Sequence, residues 1–312
     1  MSEITNNMLL NKTIAKLVPY LPVRLTRQVA ARYIAGVHPE SALTLAGQLK
    51  KEGFETTMDI LGEDTTTPDQ AEQAGDAYLS LMEMMAASDV PLNVSLKLTQ
   101  FGLRIDQDLA FNVLNRVLVS AKQKGIFVRI DMEDADVTDM TLAFYERARG
   151  ITNNVGTVLQ ARLKRTVDDA VRLAEPGVNI RLCRGVYKEN RTIAYYRNPE
   201  IHQSFIETFR TLASGGCRVA VATHDLRLIR RIEDEMAFNS FPKENIEFQS
   251  LLGVPIGRTL RVLKDKGYRV RIYIPFGEAW FAYSMRRLRE NPELATSIIK
   301  GFFRRDPLKI NL

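Results

Sequence analysis

Eight short runs of apolar and β-branched residues follow one another along most of the chain, separated by longer amphipathic segments. The runs cover residues 55–61, 92–98, 127–131, 157–160, 179–182, 218–223, 245–251 and 269–274. The segments between them, such as 106–124, 138–149 and 201–214, carry apolar residues at helical spacing. This alternation is typical of parallel strands joined by crossover helices. Eight units in roughly 250 residues predict a closed, distorted (βα)8 barrel, with an open doubly wound sheet as the alternative.

The first 52 residues follow a helical pattern instead. Apolar residues at positions 9, 10, 14 and 17 indicate one helix, which Pro19 and Pro22 end. A second helix is predicted from about residue 24 and a third over 41–50, with Ser41 placed to cap it. No Gly/Ser/Pro-rich linker divides the remainder. We therefore predict an N-terminal helical arm of residues 1–52 and a single catalytic barrel of residues 53–312.

Composition excludes several classes of protein. Two cysteines, Cys183 and Cys217, cannot form a disulfide framework, and without a CxxC pair or a His-rich tract no metal site is expected. The formal charge of +6 suits an anionic partner, but the basic residues are spread along the chain and carry no nucleic-acid recognition motif. The start of the chain does not resemble a signal peptide, and no apolar run is long enough to span a membrane. We therefore expect a cytoplasmic protein that does not bind nucleic acid.

Polar residues recur where the predicted strands end, and in such barrels active sites lie at the carboxyl ends of the strands. They are Lys97, Asp131, Glu133, Asp134, Gln160, Arg181, Arg184, Tyr187, Thr223, His224, Asp225, Gln249 and Tyr273. A charged group in an apolar strand is costly unless it has a partner. Each therefore belongs to a site, to a structural ion pair or to a solvated loop.

A helix predicted over 280–291 carries a second polar feature. Tyr283, Arg286, Arg287 and Glu290 follow at i, i+3, i+4 and i+7, on one face. Two adjacent guanidinium groups suit bidentate binding of a carboxylate or phosphate, whereas a solvated face with an internal ion pair is the alternative. The sequence lacks GxGxxG after a strand, GxxxxGK[ST], HExxH and GxSxG. Rossmann dinucleotide sites, P-loops, zincins and α/β-hydrolases are therefore disfavoured.

Together these segments resemble proline dehydrogenase, in particular its monofunctional bacterial members. The matching stretches are 59–63 (DILGE), 95–100 (SLKLTQ), 129–133 (RIDME), 181–187 (RLCRGVY), 222–225 (ATHD), 248–249 (FQ) and 283–292 (YSMRRLRENP). The resemblance implies a barrel that holds FAD at its carboxyl end and oxidises L-proline to Δ1-pyrroline-5-carboxylate, the first step of proline degradation to glutamate. It further implies electron transfer to a membrane quinone and coupling to a pyrroline-5-carboxylate dehydrogenase.

The resemblance also implies roles for individual residues. Arg286 and Arg287 would bind the proline carboxylate with Lys97 as a third contact, and Asp131 would hold or orient Lys97 and border the flavin. Tyr273 and Tyr283 would pack on the proline ring, with Leu251 alongside. Arg181 would lie near flavin N5 and stabilise charge there, and Glu63 would pair with Arg286 as a gate. The expected cofactor contacts are Met132, Gln160, Arg184, Gly185, Val186, Tyr187, Thr223 and His224.

Some positions depart from the family pattern. The fifth strand of the family usually reads RLVKGAY, where this chain has Cys183, Arg184 and Val186 in place of Val, Lys and Ala. After Phe248-Gln249 the family often has Leu-Tyr-Gly, where this chain has Leu251-Leu252-Gly253. These changes could shift flavin affinity or substrate preference toward hydroxyproline or another cyclic amine.

Two further alternatives stay open. Lys97 at a barrel strand is also compatible with a Schiff-base lyase of aldolase type. The tail at residues 301–305 (GFFRR) combines apolar and basic residues, which suits either peripheral membrane contact near the quinone or a packed C-terminus.

Overall fold

The structure is a computed structural model that describes residues 32–290, with side chains described as far as Met285. The two helices expected before residue 32, the tail at 301–305 and the side chains of Arg286 and Arg287 lie outside the described part. The division of the chain into an arm of residues 1–52 and a barrel of residues 53–312 stays a prediction.

Eight parallel strands form a closed barrel in the order in which they occur along the chain. They are β1 (Glu55–Ile60), β2 (Asn93–Leu96), β3 (Phe127–Ile130), β4 (Val155–Gln160), β5 (Asn179–Cys183), β6 (Arg218–Ala222), β7 (Ile246–Leu251) and β8 (Arg269–Phe276). Strand β8 closes the barrel against β1, from Glu55 opposite Arg271 to Ile60 opposite Phe276. The eight predicted strands and the (βα)8 architecture are confirmed, and the open-sheet alternative is wrong.

Helices surround the barrel and alternate with its strands. They are α1 (Pro39–Lys51), α2 (Pro68–Ala86), α3 (Gln107–Lys124), α4 (Thr138–Arg149), α5 (Thr166–Leu173), α6 (Asn198–Ser214), α7 (Leu226–Asn239), α8 (Gly257–Asp265) and α9 (Trp280–Glu290). Helix α1 packs against β1 and β8. It begins at Pro39, two residues before the predicted start, because proline is well placed in a first turn that lacks a partner for its N–H. Ser41 is therefore inside the helix and does not cap it.

Several helix ends follow directly from the local sequence. Asp106 accepts the Leu109 amide at 2.7 Å and caps α3, and Gly125 ends the same helix with a φ of +66°. Asp225 accepts the Arg227 amide at 2.9 Å and caps α7. These caps fix where each helix leaves the carboxyl end of the barrel and where the next strand begins.

Apolar side chains fill the space between barrel and helices, whereas charged side chains occupy the barrel interior. The outer layer includes Tyr78, Phe101, Phe205 and Phe209, all fully buried, and each is worth about 1.5–3 kcal/mol of burial. Barrels of this class usually fill their interior with branched aliphatic residues. Here the buried charged residues of the strands and strand ends include Asp59, Lys97, Arg129, Asp131, Arg181 and Arg271. Such an interior must be organised by ion pairs.

The charged interior divides into two ends. At the amino end, Arg271 donates to Glu247 at 2.8 and 2.9 Å, beside a polar cavity of about 190 Å³ that Arg129 also lines. Ion pairs at this end of such a barrel usually serve stability. The remaining charged groups lie toward the carboxyl end, where barrel enzymes act. Among the helices of residues 32–290, none is both long and apolar enough to cross a membrane.

Candidate active site

An ion pair between Arg181 and Asp131 lies at the centre of the carboxyl end. Arg181 Nη1 donates to Asp131 Oδ1 at 2.5 Å, and both side chains are largely shielded from water. Tyr273 donates its phenol hydrogen to the other oxygen, Asp131 Oδ2, at 2.9 Å. The Arg181 guanidinium carbon lies 5.2 Å from the Tyr273 ring centre, within reach of a cation–π contact. Residues from β3, β5 and β8 therefore form one connected polar group.

The rest of the Arg181 guanidinium is held by β2 and β7. Its Nε donates to Gln249 Oε1 at 2.6 Å and its Nη2 to Ser95 Oγ at 2.9 Å. Ser95 in turn lies 3.1 Å from the Thr57 hydroxyl, and its carbonyl accepts the Tyr78 phenol. With every nitrogen of its guanidinium bonded, Arg181 is held in one orientation, which is the preorganisation that electrostatic catalysis requires.

Lys97 lies at the edge of this group and bonds to a different carboxylate from the one expected. Its Nζ donates to Asp59 Oδ1 at 3.0 Å and Oδ2 at 3.1 Å. The register of β1 with β2 sets Asp59 opposite Ser95, two residues from Lys97. The expectation that Asp131 orients Lys97 is therefore corrected: Asp59 holds the ammonium directly, and Asp131 acts on it only through its charge.

These contacts set the charge state of the group. Burial by itself lowers the pKa of Lys97, but the Asp59 and Asp131 carboxylates outweigh it and raise that pKa above its ordinary value. Burial, followed by the charge of Asp131, raises the pKa of Tyr273 well above its usual range. Near neutral pH this end of the barrel thus presents a protonated Lys97 and a neutral Tyr273 phenol that donates a hydrogen bond.

A second group of expected contacts follows β4 and β5. Gly185 has a φ of +90°, and a Cβ added there would lie 2.7 Å from Gln160 Oε1. Only glycine adopts this backbone at no cost and leaves the close approach open. Nearby, Arg162 donates to the Tyr187 carbonyl at 3.0 Å, and burial together with the Arg162 charge lowers the pKa of Arg184. The guanidinium groups of Arg162 and Arg184 therefore lie close to the backbone turn at Gly185.

The sixth and seventh strands end beside each other. The Leu251 amide donates to His224 Nε2 at 3.2 Å, so a neutral His224 carries its proton on Nδ1. Thr223 accepts the Asp225 amide at 3.2 Å, and Asp225 also lies 3.0 Å from His202. Asp225 thus serves as a helix cap and as a contact of His202, while Thr223 and His224 stay at the strand end.

The remaining expected residues lie nearer the rim. Tyr283 on α9 is buried with Ile34 and Leu61 in a small apolar cluster. Glu63 is half-buried in the loop after β1, Met132 packs against the core, and Val186 is exposed. Arg286 and Arg287 belong to α9, but the contacts of their side chains lie outside the described residues.

Sequence reasoning singled out neither Asp59 nor Ser95 and named Gln249 only among the polar residues at strand ends, although the structure brings all three into the central group. Asp59 had a readable signal, because it is a charged residue between the apolar Met58 and Ile60 in a predicted strand. Ser95 carried no such signal, since a small polar residue fits an ordinary strand equally well.

The fold and this polar end define an enzyme of the (βα)8 barrel class. Comparison with known proteins identifies the family. A family model described as proline dehydrogenase matches residues 42–298. Proline dehydrogenase 1 of Bacillus subtilis subsp. natto is 35% identical over 298 residues, covering 95% of this chain and 96% of the relative. Proline dehydrogenase of Deinococcus radiodurans is 33% identical, covering 88% and 90%.

A solved structure shares the fold. Proline utilization A from Bdellovibrio bacteriovorus, inactivated by N-propargylglycine, superposes with a TM-score of 0.77 at 25% identity, covering 91% of this chain and 34% of that one. This chain therefore spans about a third of that larger protein. On the family match and the near full-length relatives, the chain belongs to the proline dehydrogenase family. It is an oxidoreductase that oxidises proline in the first step of proline catabolism.

Proposed function

We propose that this chain oxidises L-proline to Δ1-pyrroline-5-carboxylate with FAD as its bound cofactor and passes the electrons to a membrane quinone. The observation that carries the proposal is the Arg181–Asp131–Tyr273 group, a fixed cation beside a neutral phenol at the carboxyl end of the barrel. A cation held without freedom to move stabilises negative charge that arises during a reaction.

The residues after β4, β5 and β6 fit a flavin dinucleotide. The turn at Gly185 gives backbone space that a Cβ would fill, and Arg162 and Arg184 supply positive charge that suits a diphosphate. Gln160, Val186, Tyr187, Thr223, His224 and Met132 complete the set that would hold FAD. When bound, FAD supplies the chemistry of accepting the hydride that leaves C5 of proline.

The substrate side follows from charge. A protonated Lys97, held by Asp59, would bind the proline carboxylate together with Arg286 and Arg287. Tyr273, Tyr283 and Leu251 would contact the ring. Glu63 would pair with Arg286 and close the site, which keeps water away from hydride transfer.

The proton balance follows from the same groups. Oxidation removes a hydride from C5 and a proton from the ring nitrogen, and the nitrogen must lose its ammonium proton first. Lys97 is already protonated, and Asp131 is bonded to Arg181 and Tyr273, so neither side chain is free to accept this proton. Proline therefore binds from solution with its ring nitrogen already neutral. The rate of cofactor reduction should therefore rise between about pH 6 and 9.

The Schiff-base alternative at Lys97 is disfavoured. A lysine nucleophile must lose its proton, which usually requires a lowered pKa. Asp59 and Asp131 raise the pKa of Lys97. No residue of the described part favours a second function.

The test is an absorbance spectrum of the purified protein followed by anaerobic addition of L-proline. Flavin bands that bleach with proline are the expected result. A protein that takes up no flavin when FAD is supplied would overturn the proposal. Flavin bands that only another cyclic amine bleaches would keep the cofactor and correct the substrate, with Leu252 as the first position to change.

The partners form a separate part of the proposal. Bifunctional PutA of Klebsiella aerogenes contains a region 25% identical to this chain, which covers 24% of that protein. This relationship supports coupling to a separate pyrroline-5-carboxylate dehydrogenase. We propose a cytoplasmic enzyme whose tail at 301–305 contacts the inner face of the membrane. Flotation with anionic liposomes, with and without residues 301–312, tests the contact, and equal flotation would contradict it.

A further inference from the structure

Glu133 is a buried carboxylate that the proposed chemistry does not use. It lies three residues after β3 and is only 4% exposed. Its Oε1 accepts the backbone N–H of Thr99 at 3.1 Å, and its Oε2 accepts the Thr99 hydroxyl. An acidic side chain with both oxygens directed at one residue fixes the position of that residue closely.

Thr99 in turn holds the loop that follows β1, residues 61–67. Its hydroxyl oxygen accepts the Asp64 amide at 3.2 Å. Its carbonyl accepts the Thr65 amide at 3.3 Å and the Thr65 hydroxyl at 3.1 Å. Asp64 has a φ of +49°, a left-handed backbone that a residue other than glycine keeps only where its surroundings impose it. The three bonds to Thr99 are such a constraint, and Glu63 precedes the constrained residue.

The backbone of Glu133 serves the opposite side of the barrel end. Its carbonyl accepts Gln160 Nε2 at 2.9 Å. Gln160 ends β4 and faces the Gly185 turn. One residue therefore connects the loop after β1, through its carboxylate, with the end of β4, through its carbonyl.

We propose that Glu133 is a positioning residue that, through Thr99, fixes the loop carrying Glu63 relative to Gln160. The inference rests on the proposed function insofar as Glu63 acts as a gate and Gln160 contacts the cofactor. The positioning itself is a property of the hydrogen bonds and does not depend on either role.

The charges around Glu133 make its contact with Thr99 depend on pH. Lys97 attracts its carboxylate, Glu63 repels it, and Arg104 lies near enough for its own charge state to respond to Glu133. Burial raises the pKa of Glu133 from 4.5 to about 7, against the effect of the Thr99 bonds. Opening of the loop lets water reach the carboxylate and lowers that pKa again. The closed loop therefore binds a proton more tightly, and opening becomes easier as pH rises through about 7.

Hydrogen exchange of the Asp64 and Thr65 amides in the flavin-loaded enzyme tests the proposal. Thr99→Val removes the hydroxyl at nearly constant shape, and we expect about tenfold faster exchange at Asp64. Thr99→Ser keeps the hydroxyl and should retain the protection. The Leu109 amide, capped by Asp106, is an internal reference, and Thr44→Val on α1 is a matched control at an exposed threonine.

Glu133→Gln supplies the second readout. In the native protein, protection of Asp64, corrected for the intrinsic rate, should fall as pH rises through about 7, and in the variant this change should disappear. Unchanged exchange in Thr99→Val, or the same pH response in Glu133→Gln, would overturn the proposal.

Kinetics separate this inference from the proposed gate. If the loop opens more readily in Thr99→Val and Glu63 acts as a gate, the KM for proline should rise more than kcat falls in that variant. Faster exchange with an unchanged KM would support the positioning of the loop by Glu133 and Thr99 and would contradict the gating role of Glu63.

Discussion

Tyr273 on β8 donates its phenol hydrogen to the Asp131 carboxylate after β3, at 2.9 Å across the end of the barrel. Arg181 holds the other oxygen of the same carboxylate at 2.5 Å. Asp131 therefore accepts from two strands at once and neutralises a guanidinium that is almost fully buried. The site and the stability of the barrel depend on the same pair.

Asp131→Asn should cost both stability and activity. The variant keeps the shape of the side chain but leaves Arg181 buried without an opposite charge, and loss of one partner of a buried pair costs about 3–5 kcal/mol. Urea unfolding at neutral pH measures the loss.

The double variant Asp131→Leu with Arg181→Met provides the control. Removal of both charges should recover most of the free energy of unfolding while proline oxidation stays lost. A double variant no more stable than Asp131→Asn would contradict the ion-pair account.

Lys97→Met should weaken substrate binding in addition to the stability lost when Asp59 is left buried without its partner. The variant removes the ammonium proposed to bind the proline carboxylate, and loss of one such charged hydrogen bond corresponds to a rise in KM of about 10- to 100-fold. Steady-state kinetics with proline measures it. Lys124→Met is a matched control, because that lysine lies on α3, away from the barrel end, and pairs with Glu83 and Ser120. An unchanged KM in Lys97→Met would place the carboxylate elsewhere.

The barrel could be predicted because its signal is local and repeated. Each strand is a short run of apolar and β-branched residues, and each helix carries apolar residues at helical spacing. The eight predicted strands therefore agree with the observed ones to within two residues at each end. The start of α1 was placed too late because a proline in a first turn looks the same as a proline that separates two helices.

The partners of the charged residues could not be predicted in the same way. Lys97 was identified at a strand end, but its bond to Asp59 depends on the register of β1 and β2, which no single strand encodes. The same holds for Glu133 and Thr99, which lie 34 residues apart in the chain. Residue types and strand ends are readable from sequence, whereas the pairing across a barrel depends on closure and register.

Gly185→Ala should weaken FAD binding more than its effect on folding explains. The new Cβ would lie 2.7 Å from Gln160 Oε1, at a backbone φ of +90°. Gly177→Ala is a matched control, because Gly177 has a φ of +83° with nothing within 4 Å of the added atom. Both variants carry the strain of a left-handed alanine, of order 1–2 kcal/mol. Only Gly185→Ala should also release flavin on dilution at a higher protein concentration than the native protein does, and equal flavin retention in the two variants would contradict a cofactor role for this turn.

Glu133→Gln should change how the stability of the protein depends on pH. Burial raises the pKa of Glu133 to about 7 in the folded state from 4.5 when exposed, so the folded state binds the extra proton between these values. The stabilisation is therefore complete below about pH 4.5 and is lost as pH rises through about 7, by up to roughly 3 kcal/mol. Glutamine carries no such proton. As the pH rises from about 4.5 to about 7, the free energy of unfolding of the variant should therefore rise relative to that of the native protein. Urea unfolding of both proteins measures this difference. Glu146→Gln, at an exposed position on α4, serves as the control for the substitution itself, and a constant difference for Glu133→Gln would mean that this carboxyl titrates near its usual value.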